Sequence, residues 1–327
     1  MAEMQLREAI RSAMVEEMER DESIFLMGEE VAKYNGAYKV SEGMLDQFGS
    51  KRVIDTPISE NGFAGLGIGA AMNGLRPIIE FMTWNFAFVA IDQIINNVAK
   101  IRYMSGGQFH FPIVFRGPNG AAGQLAATHN TSVEAIYSYF PGLKVISISN
   151  PDDAKGLLKS AIRDDDPVLF LESEVMYGMR GEVSDEEDYT IPIGTARIAR
   201  EGDDVTIIGH NKSYWRAIEA ADRLAADGYN AEVIDPRTIR PFDWDTVVAS
   251  VKKTNRCVIV DESNPFGSIA SEIAFQIQAR AFDYLDAPVA RVTAKDVPAP
   301  YAKNLIEYYM PSAEATYEAC RKVMYLD

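Results

Sequence analysis

Short, almost entirely apolar runs recur along this chain, and polar or amphipathic segments of helical length separate them. Strands buried on both faces read as continuous apolar runs, and the helices between them supply the crossovers of a parallel sheet. The first half carries such runs at IFLMG (24–28), VIDTPIS (53–59), PIIEFM (77–82), PIVFRG (112–117), LKVISI (143–148) and PVLFLE (167–172). This rhythm predicts an α/β fold with an open, doubly wound and mostly parallel sheet.

Two helices of the first half follow from local chemistry. Apolar residues at helical spacing predict an amphipathic helix over 5–20. Residues 151–164 predict a second helix, because the Asn150 side chain can cap its first turn and Pro151 has the backbone angle that a first turn requires.

The second half repeats the alternation on a smaller scale and predicts a second open sheet. Its strand runs are DVTIIG (204–209), AEVID (231–235), RCVIVD (256–261) and APVARV (287–292), with helices expected near 213–227, 243–253 and 268–281. Between the halves, the acidic run EVSDEED (182–188) has one apolar residue, which predicts a solvated linker. We therefore expect an N-terminal domain over 1–185, a linker over 186–199 and a C-terminal domain over 200–327.

The charge balance limits the partners of the chain. It has 327 residues with 32 Lys and Arg against 48 Asp and Glu, a formal net charge of −16. Nucleic acid and anionic membranes attract cationic faces, so we expect neither as a partner. The two cysteines, Cys257 and Cys320, suit neither a disulfide framework nor a metal site, which favours a reducing compartment. With no signal-peptide pattern at its N-terminus and no long apolar stretch, the protein is expected to be soluble and intracellular.

Ligands of open parallel sheets bind where the strands end, so the loops after the apolar runs are the first candidates for a site. These loops contain a carboxyl group at Glu60, an aromatic ring at Phe86 and an imidazole at His129. The apolar neighbours Ile58 and Phe63 predict that the Glu60 carboxyl is desolvated and can hold or release a proton.

Each of these residues also has an ordinary structural interpretation. An acidic side chain at a helix start commonly complements the helix dipole, and aromatic rings such as Trp84 beside an apolar strand commonly belong to the core. A single histidine such as His129 is more often a hydrogen-bonded structural group than a catalyst. The same interpretation applies to His110 and His210, whose neighbours give fewer reasons to expect a catalytic role.

A glycine motif offers an alternative function. The segment Gly65–Ala70 matches the dinucleotide fingerprint GxGxxA, and Glu80 stands about where a ribose-binding acid is sought, so an NAD-dependent oxidoreductase is one hypothesis. The fingerprint requires its first glycine directly after a strand, whereas ten residues, 55–64, separate Gly65 from Val53 and Ile54. We therefore favour the interpretation that Gly65, Gly69 and the nearby alanines let this helix pack closely on another backbone.

The acidic triplet Asp164–Asp166 suggests magnesium at first sight. Three consecutive carboxylates at a helix end cannot all face one ion, and Pro167 forces the chain into an extended conformation at once. A turn that exposes backbone carbonyls to a weakly held monovalent cation fits this segment better.

At these loops the sequence resembles the beta subunits of thiamine-diphosphate-dependent 2-oxo acid dehydrogenases, most closely those that act on pyruvate. The matching segments are GEEVAKYNGAYKV (28–40), DTPISENGFAG (55–65), EFMTWNF (80–86), YMSGG (103–107), PIVFRGPNG (112–120), PGLKV (141–145), DAKGLLKSAIRDDDP (153–167), RTIRP (237–241) and DVPAPYAK (296–303). Because they follow one order over nearly the whole chain, they are far more specific than any single motif.

The resemblance implies a pyrimidine-binding thiamine domain followed by a transketolase-type C-terminal domain. It implies that Glu60 exchanges a proton with the aminopyrimidine ring of thiamine diphosphate, that Phe86 stacks on that ring, and that Ile58 and Met82 line its pocket. It also implies that His129 faces the substrate channel and assists acyl transfer to a lipoyl group. In such relatives a potassium ion is held by carbonyl oxygens at the positions of Ile113, Ala161, Ile162, Asp164 and Asp166.

The resemblance further implies that the cofactor site is shared with another chain. A complete thiamine site carries a GDG motif followed by Asn-Asn to hold Mg²⁺ and the diphosphate, but the segment Gly202–Asp204 reads GDD with no such follower. The implied assembly is an α2β2 tetramer whose alpha subunit holds Mg²⁺, with pyruvate as substrate and the lipoyl-bearing dihydrolipoyl acetyltransferase core as a further partner.

Several alternatives stay open at this point. Branched-chain 2-oxo acids and acetoin are substrates of related beta subunits, and an incomplete site is also compatible with a noncatalytic scaffold subunit. The location implied is the bacterial cytoplasm or, for a processed chain, the mitochondrial matrix or a plastid.

Overall fold

The computed structural model describes residues 1–186 and 188–326, which form two compact units. The first unit comprises Met1–Asn119 and Ile136–Ile193, and the second comprises Gly120–Ala135 and the chain from Gly194 onward. Two residues of the predicted regions, Glu187 in the linker and Asp327 at the end of the C-terminal domain, lie outside the described part of the chain.

The elements alternate along the chain. The strands are β1 Ala2–Gln5, β2 Ile24–Gly28, β3 Val53–Asp55, β4 Arg76–Glu80, β5 Val114–Pro118, β6 Lys144–Ser147, β7 Val168–Glu172, β8 Arg180–Val183, β9 Arg197–Arg200, β10 Val205–Gly209, β11 Ala231–Asp235, β12 Thr238–Arg240, β13 Cys257–Asp261 and β14 Ala290–Thr293. The helices are α1 Leu6–Arg20, α2 Met44–Phe48, α3 Glu60–Met72, α4 Ile101–Met104, α5 Glu134–Ser138, α6 Pro151–Arg163, α7 Asn211–Ala226, α8 Trp244–Thr254, α9 Ile269–Ala281, α10 Lys303–Tyr309 and α11 Ala313–Val323.

The sheet of the first unit has the strand order β6-β7-β5-β4-β2-β3, and every neighbouring pair in it is parallel. Its strands therefore end at one common edge. Each predicted run contains a strand, although the run 53–59 is extended in a strand only over Val53–Asp55. Pro57, which has no N–H to donate to a ladder, lies beyond that strand.

Helices α1 and α6 pack against each other in the first unit. As predicted, the Asn150 side chain caps α6 by accepting a hydrogen bond from the Asp153 N–H at 3.0 Å. Lys159 of α6 lies 2.7 Å from the Glu16 carboxylate of α1. Although burial opposes ionisation, the two nearby lysines, Lys155 and Lys159, lower the pKa of Glu16 to about 2.

The acidic segment after β8 also contacts the first unit. Asp152 of α6 accepts hydrogen bonds from the Ser184 N–H at 2.9 Å and from the Tyr189 hydroxyl at 2.7 Å. The Ile191 N–H donates to the carbonyl of Gly156 at 3.1 Å. These contacts attach the segment to α6, and the division between the compact units falls after Ile193.

The second unit has a sheet of order β14-β13-β10-β11-β9. The pairs among β14, β13, β10 and β11 are parallel, while β9 joins the edge antiparallel to β11. An apolar core forms between this sheet and helices α7 and α11. The predicted α/β class with two open, parallel-rich sheets is confirmed. In the described part of the chain, no helix is long and apolar enough to cross a membrane.

Candidate functional site

Three acidic side chains follow adjacent strands at the carboxyl edge of the first sheet. Glu80 ends β4, Glu29 directly follows β2, and Glu60 begins α3 after the loop that leaves β3. Because β2 lies between β4 and β3, the strand order brings these side chains to the same part of the edge. All three are buried.

Glu29 and Glu60 form a carboxyl pair. Glu29 is 4% exposed and Glu60 is 5% exposed. Burial, followed by the charge of Glu60 and a hydrogen bond with it, raises the pKa of Glu29 to about 7, and Glu80 adds to this effect. A hydrogen bond between two carboxyl groups requires a proton on one of them, and the raised pKa favours the protonated form of Glu29. Burial of Glu60 agrees with the sequence-based expectation.

Sequence reasoning missed Glu29. Its signal was its position immediately after the apolar run IFLMG, where a strand of an open sheet ends. Gly28, the residue before it, lies so close to β4 that a Cβ atom there would be 2.6 Å from the Glu80 carbonyl oxygen. Glycine at this position therefore lets the two strands, and the acids that follow them, approach closely.

Glu80 is held in a buried ionic network rather than offered to a ligand. The Arg116 guanidinium pairs with Glu80 on one side and with Glu172 on the other, where its Nε lies 2.5 Å from a carboxylate oxygen. The Tyr177 hydroxyl donates to Glu172 at 2.7 Å. Burial raises the pKa of Glu80, and Arg116 opposes this rise. The network ties β4, β5 and β7 together beneath the carboxyl pair.

The dinucleotide interpretation is therefore wrong. Gly65–Ala70 lies inside α3 and not at a strand-to-helix turn, and Glu80 is bound to Arg116. The packing interpretation was made for Gly65 and Gly69. It is right for Gly65, where a Cβ atom would lie 3.2 Å from the Gln93 side chain, and wrong for Gly69, which faces open space within this chain. The closest packing is at Gly67, which the sequence did not single out, where a Cβ atom would lie 2.7 Å from Ile79 of β4.

Aromatic and apolar side chains follow β4 at the carboxyl edge of the first sheet. A 3-10 turn over Phe86–Ala90 packs against α3, and Phe86, its first residue, is half-buried. Met82 is also half-buried, whereas Trp84 is fully buried against Phe81 and Tyr137. Trp84 is thus a core residue, as its ordinary interpretation predicts.

Ile58 lies in the loop before α3 and is 83% exposed. Ile58 is thus an accessible apolar side chain two residues before the buried Glu60. Ile58, Glu60, Met82 and Phe86 all lie in the first unit, on the segments that leave β3 and β4 at the carboxyl edge.

The residues of the implied cation site lie at the opposite edge of the first sheet. Ile113 directly precedes β5, and the turn after α6, which contains Asp164 and Asp166, directly precedes β7. Arg76 donates to the carbonyls of Ile162 at 3.1 Å and of Asp164 at 3.0 Å.

Cationic side chains pair with the carboxylates of this turn. Lys144 lies 2.6 Å from the Asp164 carboxylate, and Arg102 pairs with Asp166. Among the described residues, no group of His, Cys, Asp and Glu side chains is arranged to hold a metal ion. The backbone carbonyls are therefore the groups that this turn can offer to a cation.

His129 belongs to the second unit. It ends a 3-10 turn over Ala127–His129, and its ring nitrogen Nδ1 lies 2.7 Å from the Thr128 hydroxyl. The side chain is half-buried, so part of it reaches solvent.

Comparisons with known proteins agree with this architecture. The family description "Transketolase, pyrimidine binding domain" matches residues 2–179, and "Transketolase, C-terminal domain" matches residues 194–315. The solved structure "Split gene transketolase, inactive beta4 tetramer" superposes with a TM-score of 0.81 over 99% of both chains at 23% identity. This structural likeness shows a shared fold.

Relatives found by sequence share a much higher identity with this chain than the solved structure does. "Pyruvate dehydrogenase E1 component subunit beta" of Rhizobium meliloti is 55% identical over 99% of this chain and 71% of the relative. The Rickettsia bellii protein of the same name is 54% identical over 98% of both chains, and a mitochondrial relative from Oryza sativa is 52% identical over 99% of this chain and 87% of its own length. With such identity sustained along nearly its full length, the chain belongs to the family of pyruvate dehydrogenase E1 component beta subunits.

Proposed function

We propose that this chain supplies the proton-handling half of a pyruvate dehydrogenase active site whose thiamine diphosphate is shared with an alpha subunit. The observation that carries the proposal is the buried Glu29–Glu60 pair at the carboxyl edge of the first sheet. Thiamine diphosphate, when bound, supplies a thiazolium ring that accepts the electron pair released as carbon dioxide leaves a 2-oxo acid.

Glu60 is the residue assigned to the cofactor's aminopyrimidine ring. A carboxyl group at a buried helix start can deliver a proton to a ring nitrogen and take it back. The raised pKa of Glu29 favours its protonated form, so the carboxylate of Glu60 can take up a proton and return it at the ring nitrogen without a second negative charge beside it. The residues present therefore fit the pyrimidine end of the cofactor.

The apolar residues complete this half of the site. We assign Phe86 to stack on the pyrimidine and Ile58 and Met82 to line its pocket, since all three leave accessible apolar surface on the segments that follow β3 and β4. The chain has no GDG motif followed by Asn-Asn. We therefore assign Mg²⁺ and the diphosphate to the alpha subunit.

His129 is assigned to the second half of the reaction. Its half-buried imidazole can donate or accept a proton as the acetyl group passes to a lipoyl domain of the dihydrolipoyl acetyltransferase core. This gives the chain two functions, decarboxylation support at Glu60 and acyl transfer at His129.

A potassium ion is proposed at the turn after α6. Its ligands are carbonyl oxygens at the amino edge of the sheet, from Ile113, Ala161, Ile162, Asp164 and Asp166. A carbonyl oxygen has two lone pairs, so those that accept from Arg76 retain one acceptor position. The distance of this edge from Glu60 along the strands makes the ion a structural one.

The remaining assignments concern the assembly, the domain boundaries and the cellular location. We propose an α2β2 assembly, domains over 1–185 and 200–327 joined by a linker, and a bacterial cytoplasmic or organellar location. Within the described part of the chain, both cysteines are buried and free, which suits a reducing compartment.

The test is Glu60→Gln in the enzyme reconstituted with its alpha subunit. We expect dye-linked decarboxylation of pyruvate to fall by about 10²- to 10⁴-fold, the usual contribution of a general acid–base group. Glu30→Gln, which changes an exposed carboxylate next to Glu29, is the matched control. Turnover of Glu60→Gln close to that of this control would contradict the assignment and favour a noncatalytic scaffold.

A further inference from the structure

The segment that carries His129 is a closed loop. The Gly120 N–H donates to the Thr131 carbonyl at 3.3 Å and joins the two ends of the loop. Inside it, the buried Asn130 side chain accepts from the Ala122 N–H at 2.7 Å and donates to the Ala126 carbonyl at 2.6 Å. We call Gly120–Thr131 the His129 loop. Its internal bonds fix its shape, in the manner of an Ω-loop.

Two charged residues of the second unit bind both ends of this loop. Glu262, which directly follows β13 and is 3% exposed, accepts a hydrogen bond from the Ser132 hydroxyl at 3.1 Å. Lys212 lies 2.7 Å from the Glu262 carboxylate and also donates to the Ala121 carbonyl. One ion pair thus contacts the residue after the loop and the second residue of the loop.

The contact with Glu262 requires glycine at the start of the loop. Gly120 has φ +73°, and a Cβ atom there would lie 1.6 Å from the Glu262 carboxylate. The carboxylate therefore rests directly on the loop backbone, a position that only glycine permits. Beyond the loop, Glu134 lies 3.6 Å from His210 of the same unit, which continues the attachment.

We propose that the Lys212–Glu262 ion pair is a positioning device for His129. The pair links the carboxyl ends of β10 and β13, through α7 and the residue after β13, to both ends of the His129 loop. A buried ion pair has a narrow range of geometries, so it holds the loop, and the imidazole on it, in one place. The proposal rests on the role assigned to His129 in acyl transfer.

The experiment uses Glu262→Gln in the enzyme reconstituted with its alpha subunit. Acetylation of an isolated lipoyl domain should fall by about 10- to 100-fold, because small displacements of a catalytic group cost that much. Dye-linked decarboxylation, which does not use His129, should stay within about threefold. Hydrogen exchange of amides within 120–131 should become faster. Lys212→Met should act like Glu262→Gln, and Lys212→Arg should restore much of the acetylation rate.

The control is Glu232→Gln. Glu232 is a buried carboxylate of the same unit that pairs with Lys253 and accepts from Gly202, so its loss tests destabilisation without touching the loop.

Glu262→Gln combined with His129→Ala should cost no more acetylation than His129→Ala alone. Unchanged loop exchange, equal losses in both half-reactions, or additive losses would each overturn the positioning role. Full acetylation by His129→Ala would instead refute the role of His129, while loop exchange would still decide whether the ion pair holds the loop.

Discussion

At the scale of single residues, the proposed chemistry depends on two neighbouring buried acids, Glu29 and Glu60. Glu60 was found from its loop and its apolar neighbours, whereas Glu29 became a candidate only when β2 was seen to lie beside β3. Neither carboxyl is unusual in sequence. Their proximity in a buried place is what raises the pKa of Glu29 to about 7.

This raised pKa predicts a pH-dependent stability. The folded chain binds the Glu29 proton more tightly than the unfolded chain, so the stability it contributes is present at low pH and is lost as pH rises through about 7. Between about pH 5 and pH 8, the melting temperature should therefore fall by about 2–4 °C more in the wild type than in Glu29→Gln. Scanning calorimetry across this range measures the difference. Equal slopes, or a slope changed as much by Glu30→Gln, would contradict the prediction.

At the scale of elements, α3 shows how much a helix depends on its neighbours. Its glycines suggested a nucleotide-binding motif, but the surroundings of the glycines differ from position to position. Gly67 faces Ile79 and Ile113 in the core, and Gly69 faces open space within the chain.

The contrast predicts opposite effects for the same substitution. Gly67→Ala should destabilise the chain by about 1–3 kcal/mol, because an added methyl group overpacks the contact with Ile79. Gly69→Ala should stabilise it by about 0.5–1 kcal/mol, because alanine loses less backbone entropy than glycine in a helix. Urea unfolding of both variants measures these changes. A Gly67→Ala variant as stable as Gly69→Ala would show that α3 is not closely packed on β4.

Most elements were predictable because their signals are local. Apolar runs gave the strands, and the Asn150 cap with Pro151 gave α6 to within one residue. The short strands β1 and β8 were missed, because each is stable only through pairing with the other. Strand β9 was missed for the same reason, since RIAR has no strong apolar pattern.

At the scale of the whole molecule, the site proposed for this chain is the pyrimidine half of a cofactor site, and the sequence has no motif for the diphosphate. This predicts that the isolated chain does not bind thiamine diphosphate with Mg²⁺ tightly, since the charged end of the cofactor would have no cationic or metal partner. The net charge of −16 opposes anion binding further.

Calorimetric titration tests this prediction directly. Thiamine diphosphate with Mg²⁺ should give no saturable heat with the isolated chain and a saturable isotherm with the complex containing the alpha subunit. A submicromolar isotherm with the isolated chain would place the whole site on this polypeptide.

What the sequence determined by itself was the alternation of the main strands and helices, the candidate acid Glu60 and the absence of a diphosphate motif. These follow from periodicity, capping and residue type, which act over a few neighbouring residues. Tertiary structure alone decided that Glu29 pairs with Glu60, that Glu80 is neutralised by Arg116, and that the segment carrying His129 belongs to the second unit. These outcomes depend on which strands and loops become neighbours, and contacts between residues distant in sequence are set by burial and strand pairing across the fold rather than by local preference.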